Sequence, residues 1–239
     1  MIYIGSAGWN IPRVHKGRFP AEGSQLARYS ARLNAAEINT SFYRPHAAAT
    51  YERWAAAVPG GFKFAVKMPR VITHERGLAR ARAPLDRFLD ETAGLGSTLG
   101  PLLIQLPPSY AFDTRRAGRF FELLRARHDG AVVCEPRHGT WTSAPASRLL
   151  ERFHVARVAA DPPRAAGLHE PGGWRGLVYY RWHGSPRPYF SPYGSDRLGP
   201  LASALSSVRV PAWAIFDNTG SGSAAGNALD LRALLDDNE

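Results

Sequence analysis

The chain has 239 residues, 44% of them hydrophobic and 21% charged, a balance that suits one sizeable core and excludes a disordered polypeptide. Against 20 Asp and Glu stand 30 Lys and Arg, a net charge of +10. Only Lys16, Lys63 and Lys67 are lysines, so scattered arginines carry nearly all the positive charge, and arginine grips phosphate and carboxylate as a bidentate fork.

Short runs rich in β-formers alternate with stretches in which Leu, Ala and Arg recur at helical spacing. The first run is Ile2–Ser6. A helical stretch around Leu26–Leu33 leads to the second, Ala35–Thr40, and Thr50–Val58 leads to the third, Phe62–Met68. Pro84–Gly94 precedes the fourth, Pro101–Leu106, and Thr114–His128 precedes the fifth, Ala131–Glu135. Pro145–Arg152 leads to the sixth, His154–Ala160, which runs into a Pro/Gly-rich stretch, Asp161–Gly176, expected as a loop. The seventh is Leu177–His183. Leu198–Val208 leads to the eighth, Trp213–Asp217, and a last helix is expected over Ala224–Leu235.

Eight strands alternating with helices imply parallel pairing, since parallel neighbours need a crossover connection. The expected fold is therefore α/β, a single (β/α)8 barrel of the TIM type over residues 1–239, with eight parallel strands inside a ring of helices. An open doubly wound sheet would carry a Gly-rich phosphate turn after its first strand, and Gly5-Ser6-Ala7-Gly8-Trp9 lacks that spacing. Cys134 is the only cysteine and sits in an apolar run. With no leader pattern and no long apolar span, the expectation is a cytoplasmic monomer with no membrane contact.

Most strands end in an ionisable or amide side chain. Glu37 and Asn39 end the second, Lys67 the third, Gln105 the fourth, and Glu135 with Arg137 the fifth. Asp161 follows the sixth, Arg181 and His183 end the seventh, and Asp217 with Asn218 end the eighth. A barrel converges those ends on one mouth, where barrel enzymes do their chemistry. The competing expectation is a plug of ion pairs, in which Lys67 bridges to Glu37 or Glu135. Hydrophobic residues would often stabilise at least as well as such a plug.

Several stretches resemble the YecE-like family (domain of unknown function 72). They are Gly5–Trp9, Glu37–Arg44, Phe64–Arg70 with Ile72-Thr73-His74, and Leu103–Pro108. Further on are Cys134–His138 with Trp141, Tyr179–Gly184, and Phe216–Thr219 with Asn227-Ala228. The resemblance runs the length of the chain and implies a barrel. One departure is Asp217-Asn218, where the family pattern leads us to expect an Asn pair; it adds a carboxylate to the mouth.

Acid/base work needs a group titrating near the working pH, or carboxylates in unlike environments. Glu135, Glu37 and Asp217 are the carboxylates, and His183 is the best single base by its free pKa. Lys67 would neutralise an oxyanion or, if desolvated, form a Schiff base. The Gly-rich segment Asn218–Asn227, with Gly220 and Gly222, precedes a helix and offers N–H groups to a phosphate. No nucleophile elbow and no local metal-ligand spacing is present, although Glu37, Glu135, Asp161, His183 and Asp217 could gather around a divalent ion.

These residues lead us to expect an enzyme, of hydrolase or lyase type, acting on a phosphorylated or other anionic substrate by acid/base chemistry. It would need no cofactor, or at most a weakly held divalent metal. Glu135 and His183 share the proton transfers in this scheme, while Lys67 and Arg181 stabilise negative charge. Trp9, Asn39, Tyr43, Arg44, Gln105, Arg137 and Asn218 line the substrate. The rival expectation is a barrel, hydrolytic or non-catalytic, that binds nucleic acid or a nucleotide through aromatics beside arginines, as in Phe42-Tyr43-Arg44, Tyr179–Trp182 and Arg187–Phe190.

Overall fold

The structure is a computed structural model and describes residues 1–237, so the last two residues of the expected domain lie outside it. Ten strands form one sheet: β1 (Ile2–Ala7), β2 (Ala35–Ile38), β3 (Lys63–Lys67), β4 (Leu99–Gln105), β5 (Val132–Glu135), β6 (Val155–Arg157), β7 (Ala159–Asp161), β8 (Gly172–Gly173), β9 (Val178–Trp182) and β10 (Ala212–Phe216). Their order is β7-β9-β10-β1-β2-β3-β4-β5-β6-β8. All pairings are parallel except β6 with β8. Seven helices separate the strands: α1 (Gln25–Ser30), α2 (Ala48–Ala56), α3 (Arg82–Thr92), α4 (Thr114–Arg125), α5 (Ala144–Arg152), α6 (Ser195–Ser207) and α7 (Ser223–Asp236).

The architecture is the expected barrel, with two corrections to the strand count: the sixth strand divides, and the segment Asp161–Gly176 expected as a loop carries β8. The sixth expected strand is two. Its first half, β6, pairs with β5, and its second half, β7, pairs with β9, so one run of chain closes the cylinder by changing partners at Val158. The cause lies in the segment expected as a loop. Gly172 and Gly173 pair antiparallel with Arg157 and Ala156 and so occupy the other edge of β6. At Gly173, with a φ of +63°, only glycine permits this approach, whereas at Gly172 a larger residue would have to displace the Arg157 guanidinium. A Cβ on Gly172 would lie 2.6 Å from the Arg157 guanidinium, and one on Gly173 would lie 2.7 Å from the Val155 carbonyl oxygen. β9 therefore finds a free edge only beyond Val158.

The helix starts follow local chemistry. Ser24, Asp113 and Ser143 accept hydrogen bonds from Ala27, Arg116 and Ala146 N–H groups, capping α1, α4 and α5. Between helices and sheet lies the larger apolar cluster. A second cluster fills the barrel interior and includes Ala35, Ala65, Leu103, Val133, Tyr179, Trp213 and Ile215. Trp213 stacks between Tyr3 and Tyr179, with ring centroids 4.7 and 5.9 Å away, and small alanines on β2 and β3 share the cluster with these large rings. Among the described residues no helix is long and apolar enough to cross a membrane.

One close approach ties the first helix to the barrel. The buried Tyr29 hydroxyl accepts from Ser6 N–H at 2.7 Å and donates to the Ala35 carbonyl at 3.0 Å, bridging β1 to β2. Gly5 makes room: a Cβ there would sit 1.9 Å from the Ala35 oxygen. Gly5→Ala should therefore destabilise the fold by about 3 kcal/mol or more, the upper end of overpacking costs, as read by urea unfolding. A loss under about 1 kcal/mol would mean that β1 and β2 separate without penalty.

A candidate active site at the carboxyl mouth

Side chains in a strand alternate faces, so the residue two beyond an interior apolar residue also points inward. Ala35, Ala65, Leu103, Val133, Tyr179 and Ile215 belong to the interior cluster, and two residues later stand Glu37, Lys67, Gln105, Glu135, Arg181 and Asp217. One more step of two along β9 reaches His183. All seven are buried. The strands thus change from hydrophobic layers to a polar layer at the same height, and the barrel gathers that layer into one network.

Arg181 is its centre and is fully buried. Its Nε donates to both Glu37 oxygens at 3.0 Å, and its Nη2 donates to Glu37 Oε1 at 2.7 Å. Nη1 reaches Glu135 Oε2 at 3.1 Å, and Nη2 lies 3.0 Å from Asp217 Oδ2. The Tyr179 hydroxyl adds a 2.8 Å bond to Glu37. Glu135 also accepts from Gln105 Nε2 at 3.1 Å, from Arg137 Nε at 3.2 Å and from His183 Nε2 at 2.9 Å. The second His183 nitrogen, Nδ1, stands 3.0 Å from Asp217 Oδ2.

With a carboxylate oxygen at each nitrogen, both must carry hydrogen, so His183 is an imidazolium. Burial opposes that charge, but the field of Glu135 and the bonds to Asp217 and Glu135 outweigh it and raise the pKa. Burial likewise opposes charge on Glu135. His183 and Arg181 overcome it and hold the carboxyl well below its usual range. Asp217 is lowered in the same way, chiefly by Arg181 against burial.

Lys67 is the exception. Its ammonium makes no hydrogen bond or ion pair among the described residues and lies 4.0 Å from the centre of the Phe42 ring, while its carbonyl accepts from Ser41 Oγ at 2.7 Å. Burial and then the Arg181 charge depress it, the three carboxylates raise it less, and it settles at about 8. Beside it, His74 stacks edge-on against Phe42. Burial and the charges of Lys67, Arg137 and Arg70 push His74 down to about 4. The open side of Lys67 is therefore a positive region around a neutral imidazole.

The remaining candidates divide. Arg137 belongs to the network through Glu135. Asn39 and Asn218 follow β2 and β10, and each has a buried amide oxygen without a partner. Tyr43 and Arg44 are exposed on the rim. Trp9 packs edge-on against Trp54 and Phe64. The Gly-rich segment is not an open anion cradle: Gly220 N–H donates to the Tyr189 carbonyl at 2.8 Å and Gly222 N–H to Thr219 at 3.1 Å. Asp161 stays outside the network, paired with Arg197 and with the Tyr193 hydroxyl.

No group of three or more His, Cys, Asp or Glu is arranged to hold a metal among the described residues. The Arg181 guanidinium stands where the three carboxylates converge. Tyr179 and His74 were not singled out from their chemistry. Tyr179 is two residues before Arg181 on one strand face, so strand alternation was a sufficient signal for it. Next to the network, Glu135, Arg137, Ala160, Pro162, Arg164 and His183 line a cavity of about 10 Å3, room for about one water molecule.

A family model described as "Protein of unknown function DUF72" matches residues 3–239. YunF of Bacillus subtilis (strain 168), described as a UPF0759 protein, is 25% identical over 99% of this chain and 95% of its own length. YecE of Escherichia coli (strain K12) is 29% identical over 46% of this chain and 39% of its own. A DUF72 family protein from Enterococcus faecalis V583 has a crystal structure that superposes with a TM-score of 0.83 at 20% identity, covering 99% of this chain and 96% of that one.

Removing Arg181 leaves three carboxylates buried around a gap. Arg181→Met should cost about 3–5 kcal/mol in urea unfolding near neutral pH; a near-neutral effect would show that water already screens the network. The pH response has a definite sign. A raised His183 pKa contributes stability fully present below the free imidazole value of about 6.5 and lost as pH climbs through the folded value. Lowered carboxylates contribute stability present above about 4 and lost as pH falls through their folded values. The melting-temperature gap between wild type and His183→Gln should thus be widest near about pH 5–6 and close toward alkaline pH. A gap that widens with pH would contradict a protonated His183.

Proposed function

The chain belongs to the DUF72 family, and on that footing we propose that it is an enzyme acting on a small anionic substrate by acid/base chemistry at the carboxyl mouth of its barrel. The observation that carries this reading is the buried Lys67, whose ammonium lies over the Phe42 ring and has no hydrogen bond or ion pair among the described residues, beside a network in which every other charged group is paired. An acid/base group works best with a pKa near the operating pH. Lys67 at about 8 meets that condition, whereas Glu135 and Asp217 are pulled too low and His183 is held as an acid with both protons in use.

The roles expected from the residues alone therefore shift. Lys67 exchanges the proton. Glu37, Arg181, Glu135, His183 and Asp217 form the fixed field around it, and field preorganised in a dry site is a large part of catalytic power. Arg137 and Arg70, which bear on His74 together with Lys67, attract the anion. A metal has no place in the scheme, because Arg181 already supplies the cation the carboxylates require.

The nucleic-acid alternative retains less. Phe42 and Tyr179 are buried, and Trp182 packs on Tyr193 and Phe216, which leaves Tyr43, Tyr189 and Phe190 on the rim for stacking. Its distinguishing mark is affinity that collapses with salt.

Incubating wild type and Lys67→Met with a bacterial small-molecule extract tests the reading by mass spectrometry. The wild type should deplete at least one carboxylate- or phosphate-bearing compound, and Lys67→Met should slow that depletion by roughly a hundredfold or more. An extract whose anionic compounds are untouched by the wild type, or are consumed equally by the folded variant, would refute it.

A further inference from the structure

Lys67 differs from the other two lysines in every physical respect. Lys16 is exposed, and Lys63 donates to the Ser97 carbonyl at the opposite end of β3. Lys67 is buried, lies over an aromatic ring, and leaves its nitrogen without an acceptor although three carboxylates act on it electrostatically. The reason is competition. Glu37 is taken by Arg181 and Tyr179; Glu135 by Arg181, Gln105, Arg137 and His183; Asp217 by Arg181 and His183. An ammonium can deprotonate there without breaking a hydrogen bond, and the resulting lone pair has no hydrogen-bonded neighbour to block it.

We infer that Lys67 Nζ forms an imine with the carbonyl carbon of a small aldehyde or ketone that also carries a carboxylate or phosphate. This rests on the reading of the mouth as the site of an enzyme for anionic substrates, and it names the class of substrate. The nitrogen lone pair makes the new C–N bond while the carbonyl π pair moves onto oxygen, which takes up a proton as nitrogen gives one up. The carbinolamine hydroxyl then takes a second proton and leaves as water, and the nitrogen lone pair closes the C=N bond. One carbonyl, one amine and one proton drawn from solvent become one protonated imine and one water, with no oxidant or reductant involved. The Lys67 pKa of about 8 leaves a workable share of free amine near neutral pH, where a solvated lysine is almost entirely charged. The substrate anion is drawn to Arg137, which bonds Glu135 through Nε, and to Arg70, whose exposed pair with Glu75 at 3.0 Å it displaces, and the protonated imine, once formed, draws electrons from the adjacent carbon.

Trapping with cyanoborohydride tests this on the whole chain. The probes are glyoxylate, glycolaldehyde phosphate and, as the uncharged control, glycolaldehyde, with modified lysines mapped by peptide mass spectrometry. With either anionic probe at neutral pH, Lys67 should gain the reduced adduct in preference to Lys16, Lys63 and the N-terminal amine, by on the order of tenfold or more over the side-chain amines. Glycolaldehyde should show a clearly smaller preference, the part due to the larger share of free amine alone. Whichever anionic probe labels faster identifies carboxylate or phosphate as the cognate group. Lys67→Arg keeps the charge and should lose the site-specific adduct while still melting cooperatively. Equal labelling of all three lysines, or none at Lys67, overturns the inference. A parallel thermal-shift series with inorganic phosphate and oxalate on wild type and Arg137→Gln separates the two readings. Anion stabilisation that needs Arg137 but comes without trapping ends the imine alone; the loss of both ends the anionic-substrate reading too.

Discussion

Three carboxylates cannot stay charged in a dry barrel unless a cation stands among them, and that requirement organises the mouth. Moving even one carboxylate out of water costs several kcal/mol after relaxation. Arg181 meets the need because its guanidinium presents five donors in a plane, enough to serve Glu37 as a fork and still reach Glu135 and Asp217. A lysine there would offer three donors from one point and could not span the same distances. Tyr179 and Gln105 add further donors, so the apolar layer below ends in a polar layer in which Glu37, Glu135 and Asp217 each meet Arg181.

Once Arg181 is in place, the other protonation states follow. Glu135 and Asp217 are held ionised, and their outward oxygens fix His183 as an imidazolium. A histidine that is the obvious base in isolation thereby becomes a structural cation. Lys67, which reads in isolation as a salt-bridge partner, is left over because Arg181 and His183 hold the carboxylates, and of their six oxygens only Asp217 Oδ1 has no hydrogen bond or ion pair among the described residues. The division resembles the general pattern in which environment pushes titratable groups apart and so assigns their roles.

Much of this was legible in the residues. Strand alternation placed Glu37, Lys67, Gln105, Glu135, Arg181 and Asp217 on one inner face, because the period of two is a local property of the backbone. Tyr179 obeys the same rule, although its residue type points to stacking on a nucleic acid rather than to a hydrogen bond with Glu37. What could not be read was anything set by competition through space. Which cation wins the carboxylates depends on the reach of Arg181 across the barrel. The division of the sixth strand depends on a Gly-Gly pair that looks like loop residues until it docks on β6. The Gly220 and Gly222 N–H groups looked available because nothing in their sequence discloses that the Tyr189 and Thr219 carbonyls come to meet them.

The change of partners at Val158 has a mechanical meaning. Everywhere else a strand of this cylinder is laced to one neighbour on each side; here three residues are stitched to β5 and the next three to β9. The wall therefore has a seam, and its upper end runs past Ala160, beside Glu135 and His183, at the water-sized hollow between them. Local breathing concentrates where backbone ladders are shortest. The imidazolium and its carboxylate thus sit against the seam, while Lys67 stands on a strand laced to β2 without a break and to β4 past a single register shift between Phe64 and Val66.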